Sequence, residues 1–222
     1  MFKHQDIEIY WLKHAGFKIK TKDGVLYIDP FQLTGEQEKG DVLLLSHSHY
    51  DHLDEASVHS VVKPETVVFC SDDCKETIEK LTKVEAIHSI HPNEEHVFGH
   101  LKIETLPAYN LDKPFHPKEN DWLGFVIEIE GTRIYFAGDT DSLKELEEVK
   151  CDIGLFPVSG TYLMTAEEAA ALANKIQPKI VSIPMHWGAI VDDQNRAVGT
   201  LDDAKKFCEL CVGPSQILSP IA

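Results

Sequence analysis

The stretch "DVLLLSHSHYDHLD", Asp41 to Asp54, decides how the rest of the chain is read. "VLLL" is a continuous apolar run, the pattern of a strand buried on both faces. Directly after it, His47, His49, Asp51 and His52 fall within six positions. Imidazoles and a carboxylate crowded at the end of a buried strand cost burial energy unless something binds them. In a regular strand His47, His49 and Asp51 would share one face, whereas a loop can wrap so that both pairs turn inward. Neutral imidazole together with carboxylate suits zinc, iron or manganese.

Working outward, "DIEIYW" and "FKIKT" alternate and read as strands, and "GVLYIDP" is another, stopped by Pro30. "ETVVFCS" is a strand leading to a helix capped by Ser71, with Cys74, Ile78 and Leu81 on one face. "EAIHSI", "HVFGHLKIETLPA" and "GFVIEIEGTRIYFAGD" read as strands, the last a hairpin turning near Gly131. The second half alternates. "SLKELEEV" carries a capping box from Ser142 to Glu145, "CDIGLFPVS" is a strand, and "TAEEAAALANKI" is a helix boxed from Thr165 to Glu168. "KIVSIPMH" is a buried strand, "TLDDAKKFCELC" a capped helix, and "QILSPI" a candidate sheet edge. The pattern predicts a single α/β domain over residues 1–222, two sheets packed face to face with helices outside, a four-layer α/β/β/α sandwich.

The chain has 222 residues and a net charge of -16, from 37 acids against 21 bases. Such a surface repels phosphate backbones, which disfavours nucleic acid and anionic membranes as partners. The N-terminus "MFKHQDIEIYW" lacks an apolar signal-peptide core, and no apolar run is long enough to insert into a bilayer. A cytoplasmic protein with a small-molecule substrate is the expectation, with a homo-oligomer left open. Five cysteines, an odd number, argue against a disulfide scaffold. His88, His91, His96 and His100 read as a solvated hairpin rather than a second metal site, and the cysteines as small hydrophobes.

H-x-H-x-D-H after a buried strand resembles the signature of the metallo-β-lactamase superfamily. "YIDPF" (Tyr27–Phe31), "YFAGDTD" (Tyr135–Asp141) and "IPMHWG" (Ile183–Gly188) look like its other motifs, in order. "WLKHAGF" (Trp11–Phe17) is similar to the opening of the branch that holds L-ascorbate-6-phosphate lactonase and N-acylphosphatidylethanolamine phospholipase D. The resemblance implies a metal-dependent hydrolase with two divalent ions, Zn2+ or Mn2+, with iron admitted. A metal-activated water would act on an ester, lactone or phosphodiester of a small molecule. His47 and His49 match the first metal site, Asp51 and His52 the second. Asp139 matches the bridging carboxylate and His186 the last ligand of the second site. Asp51 could also orient the nucleophile, and Asp29 could hold a ligand histidine from behind.

The branch places a third histidine for the first metal after Pro-Ala-x. This chain reads "LPAYNLDKPFHP", with Asn110 at that position. Asn110 could ligate through its amide oxygen, His116 could fold back into the vacancy, or the site could stay open. His14, His116 and Tyr162 are the candidates for protonating a leaving group. Two other classes stay open: a mono-iron redox or persulfide-type enzyme on the same fold, and a non-catalytic metal-binding module.

Overall fold

The computed structural model describes residues 1–221. The chain divides into two compact units, Met1–Ile90 joined by the residues from Leu218 on, and His91–Ile217. Each is a mixed sheet carrying helices, so both show the expected α/β class.

In the first unit a seven-stranded sheet runs in chain order: β1 (Phe2–His4), β2 (Ile7–Lys13), β3 (Gly16–Lys20), β4 (Val25–Ile28), β5 (Val42–Leu45), β6 (Val67–Cys70) and β7 (Ala86–Ser89). The pairs from β1 to β4 are antiparallel, and those from β4 to β7 are parallel. The apolar run Val42–Leu45 is a central strand buried at every residue, as its composition requires. Helices α1 (Glu55–Val61) and α2 (Asp72–Leu81) supply Val58, Val61, Cys74 and Ile78 to a cluster with Leu12, Tyr27, Leu43, Leu45 and Val68. Burial pushes the Cys70 thiol up to about 12, the behaviour of an inert core cysteine. All five cysteines are free.

In the second unit the sheet order is β13-β12-β11-β10-β9-β8. It comprises β8 (Glu95–Phe98), β9 (Leu101–Pro107), β10 (Leu123–Ile129), β11 (Thr132–Phe136), β12 (Ile153–Pro157) and β13 (Val181–Met185). β8 to β11 are antiparallel, while β11, β12 and β13 run parallel. The expected hairpin turns at Glu130 and Gly131, both at positive φ, the backbone its tight turn demands. Helix α3 (Ala166–Ile176) crosses from β12 to β13, and α4 (Leu201–Leu210) follows the short hairpin β14 (Ile190–Val191) and β15 (Ala197–Val198). Both helices start on full capping boxes. Thr165 pairs reciprocally with Glu168, and Thr200 with Asp203.

Four expectations need correction. Ser142–Glu145 forms no capping box, because the segment makes only a 3₁₀ turn at Lys144–Leu146 whose N-cap is Leu143. Ser71 does precede α2, but its hydroxyl bonds the Asp73 carboxylate at 2.5 Å instead of capping backbone. "HVFGHLKIETLPA" is two strands, broken at Gly99 with φ of 58°. "QILSPI" forms no strand among the described residues; just before it Ser215 makes an isolated bridge to Ser182, and within it Ile221 N donates to the Trp11 carbonyl at 3.0 Å. Among the described residues no helix is long and apolar enough to cross a membrane.

On a solvent-accessible face of the second unit's sheet, Arg133 clamps Glu104 with two bonds of 2.8 and 2.9 Å. The guanidinium holds the Glu104 carboxyl down at about 2, against an ordinary 4.5. A carboxyl with a depressed folded value stabilises above its unfolded value and loses that stabilisation as pH falls through the folded one. Glu104→Gln should therefore be less stable than wild type at pH 7. The gap should close as pH falls from about 4.5 toward 2 and shrink in added salt. Urea melts across that range check it; a gap independent of pH would count against the ion pair.

Candidate metal centre

The first unit supplies its candidates from the carboxyl ends of parallel strands. This is the rim where the backbone leaves the sheet and side chains are free to converge. β4 ends into Asp29 and β5 into Ser46 and His47. Ile28 and Leu44 are register partners, so Asp29 leaves β4 one residue short of level with Ser46, within reach of its backbone N. Asp29 is fully buried and accepts three hydrogen bonds: Ser46 N at 2.8 Å, Ser46 Oγ at 2.5 Å and His52 Nδ1 at 2.8 Å.

Proton accounting then fixes two rings. A carboxylate of this kind only accepts, so His52 carries a proton on Nδ1, and in the neutral ring that a metal requires the lone pair is at Nε2. Ser46 spends its proton on Asp29, so its oxygen accepts from His47 Nδ1 at 2.9 Å. That places a lone pair on His47 Nε2, which lies 3.0 Å from His49 Nδ1. His47 and His52 are buried, and their ring centroids lie 4.1 Å apart. Asp51 Oδ2 lies 2.8 Å from His14 Nε2 and 3.7 Å from His52 Nε2. His14, fully buried, sits in the β2–β3 turn at a φ of 51°.

In the second unit Asp139 follows β11 through Gly138, at a φ of 70°. A Cβ at Gly138 would lie 2.4 Å from the Leu123 carbonyl oxygen, so only glycine lets the backbone turn there. Asp139 Oδ2 lies 3.2 Å from His116 Nε2 and 3.2 Å from His186 Nε2, with all three residues buried. His186 directly follows β13, at a φ of 60°. Asn110 is buried as well; its Oδ1 lies 3.1 Å from His116 Nδ1 and its Nδ2 donates to the Tyr162 carbonyl at 3.0 Å. Tyr162 is half-buried, its ring edge-on to Phe115 at 4.7 Å.

The donor types present, buried imidazole and carboxylate, are those that bind divalent metal. Two imidazole nitrogens converge on one carboxylate oxygen in the second unit. A lone-pair imidazole pair lies beside an Asp51–His52 pair in the first. A proton serves one such contact; a divalent cation of the zinc or manganese type serves several acceptors together.

The sequence reading missed two contributors. Ser46 gives no signal as the first letter of the motif, yet its hydroxyl relays Asp29 to His47. Asp141, buried, accepts from Leu111 N at 2.9 Å and from Lys113 Nζ at 2.5 Å, and so pins the loop that carries His116. The only available signal for Asp141 was an acid two residues beyond Asp139. His91 and His100 are exposed, His88 stacks on Phe69 at 4.9 Å, and His96 pairs with Glu94 at 3.0 Å.

A family model described as "beta-lactamase superfamily domain" matches residues 8–186. A UPF0173 metal-dependent hydrolase of Thermococcus onnurineus is 29% identical over 96% of this chain and 99% of its own. One of Symbiobacterium thermophilum is 31% identical over 82% of this chain and 84% of its own. In structure, a Parabacteroides distasonis protein matches with a TM-score of 0.81 at 23% identity, covering 97% of this chain and 94% of that one. At that identity the match speaks to the metallo-β-lactamase fold.

Asp29→Ala should be costly, because it strands three buried donors at about 1–3 kcal/mol each. A loss of more than about 3 kcal/mol in chemical denaturation is expected. A loss within about 0.5 kcal/mol, as at an ordinary surface site, would show that Asp29 does not organise the His47 and His52 rings.

Proposed function

As a member of the metallo-β-lactamase superfamily, and within it of the UPF0173 metal-dependent hydrolase family, the chain is a metal-dependent hydrolase, and we propose that it cleaves an ester, lactone or phosphodiester of a small molecule with two divalent ions. The observation that carries this reading is the proton accounting around Asp29. It leaves His47 and His52 with the lone pairs a ligand needs.

The proposed roles follow the order of the family's motifs. His47 and His49 would hold the first ion, and Asp51, His52 and His186 the second, with Asp139 available to both. Between the two candidates for the remaining place on the first ion, His116 is preferred to Asn110. Support comes from the 3.2 Å approach of His116 Nε2 to Asp139 and from the commitment of the Asn110 amide to other partners. Bound divalent metal, Zn2+ or Mn2+, supplies Lewis acidity toward a substrate oxygen and acidifies water.

The chain's own groups do the rest. His14 Nε2, 2.8 Å from Asp51 Oδ2, holds that carboxylate in one orientation. Asp51 in turn directs the attacking water. With His116 taken as a ligand, His14 and the Tyr162 hydroxyl are the remaining donors for a leaving oxygen. The acidic surface favours a substrate of low negative charge, and five free cysteines suit a cytoplasmic setting.

Elemental analysis of protein purified without added metal should find about two equivalents per chain. His47→Ala combined with Asp139→Ala should empty the protein of metal and lower hydrolysis of a p-nitrophenyl ester, a lactone or bis(p-nitrophenyl) phosphate by at least about 100-fold. Unchanged metal content and turnover in that variant would overturn the assignment. A single equivalent of iron without hydrolysis would favour a mono-iron redox enzyme, and metal without turnover on any substrate a binding module.

A further inference from the structure

We propose that Asn110 is the positioning residue of His116: its amide fixes the tautomer and direction of that ring, so that the loop returns a ligand six residues after the place where the branch carries one. This rests on the reading of His116 as a metal ligand.

Four hydrogen bonds tie Asn110 down. Its backbone N donates to the His116 carbonyl at 2.8 Å, closing the loop. Its Oδ1 accepts from the His116 backbone N at 3.0 Å and lies 3.1 Å from His116 Nδ1. Its Nδ2 donates to the Tyr162 carbonyl at 3.0 Å.

The last of these settles which way the amide faces. A carbonyl oxygen only accepts, so Nδ2 must turn to Tyr162 and Oδ1 to His116. An amide oxygen also only accepts, so His116 Nδ1 carries the proton. The lone pair then sits on Nε2, the atom 3.2 Å from Asp139 Oδ2. In the first unit Asp29 does the same for His52, at 2.8 Å from its Nδ1. The histidine and its orienting oxygen are thus a repeated device, with a neutral amide in place of a carboxylate.

Asparagine is suited to the place for a reason aspartate does not share. It needs an acceptor on one side and a donor on the other. Aspartate keeps the bond to His116 but sets an oxygen against the Tyr162 carbonyl. Leucine, of similar shape, offers neither. The loop keeps independent anchors in either variant, since Asp141 holds Leu111 N and Lys113 Nζ.

The test is Zn2+ competition against a chromophoric chelator on the full chain stripped of metal, with thermal melts alongside and His47→Ala as control. Asn110→Leu should weaken zinc binding by about 10–100-fold. Asn110→Asp should bind close to wild type, yet melt at a lower temperature. Affinity then follows the acceptor at Oδ1 while stability follows the whole amide, a separation that a purely structural role does not produce. If wild type binds tightly, His47→Ala weakly and Asn110→Leu like wild type, the positioning role alone is wrong. If both Asn110 variants weaken binding in step with their melting temperatures, the residue is only structural and the proposal is overturned. If His116→Ala binds like wild type while Asn110→Leu does not, Asn110 is itself the ligand, which also overturns it. If wild type and His47→Ala bind zinc equally weakly, the metal reading falls and this inference with it.

Discussion

A carboxylate sealed from water must be fully paired, and Asp29 meets that constraint with three donors at once. The solution reaches far beyond one residue. It ties the end of β4 to the end of β5, fixes Ser46 as a relay and sets the proton positions on two histidines. The parallel pairing of β4 with β5 makes this geometry available. That pairing exists because Val42–Leu45 is apolar enough to be a central strand. Core packing and ligand chemistry are in this way one problem with one answer.

The second unit repeats the arrangement on other residues. Asp139 and His186 leave the ends of parallel strands, as His47 does, and each needs an unusual backbone nearby. His14, Asp29 and His186 themselves hold positive φ of 51°, 40° and 60°. Such conformations cost about 1–3 kcal/mol each in a residue with a side chain. They persist where buried contacts over-determine them, and all three residues are buried. Of the described non-glycine residues at positive φ these three are the buried ones; others, such as Gln5 and Gln177, are exposed at a turn and a helix end.

Much of this was legible in the sequence, for a physical reason. Strands with strong patterns, such as Val42–Leu45 and Leu123–Ile129, declare themselves because burial leaves no choice of residue. Thr165 and Thr200 cap as expected because the boxes are local and nothing competes with them. Ser142 fails because Asp141, Leu143 and Leu146 are all drawn into the interior, leaving room for one 3₁₀ turn before β12. Helix α1 was missed because its first residues follow directly on the histidine motif, and its N-cap Asp54 makes no capping bond from its side chain. Its carboxylate goes instead to Gln32 N and Ser57 Oγ. The hydrogen bonds between Asn110 and His116 could not be read from spacing, since the contact that orients the amide spans 52 positions, to Tyr162.

The fold-back between Asn110 and His116 also bears on how relatives of this chain are counted. An alignment scores ligands by column, and in the column after Pro-Ala-x this chain scores a loss. Space keeps a different ledger: closing a loop of a few residues is cheap, and lengthening it costs only a few tenths of a kcal/mol per added residue or less. A donor atom can therefore migrate along the chain while its coordinates stay put. Surveys that discard members for lacking that histidine would also discard chains that carry another histidine a few residues on, and would underestimate how many sequences offer the same donor set.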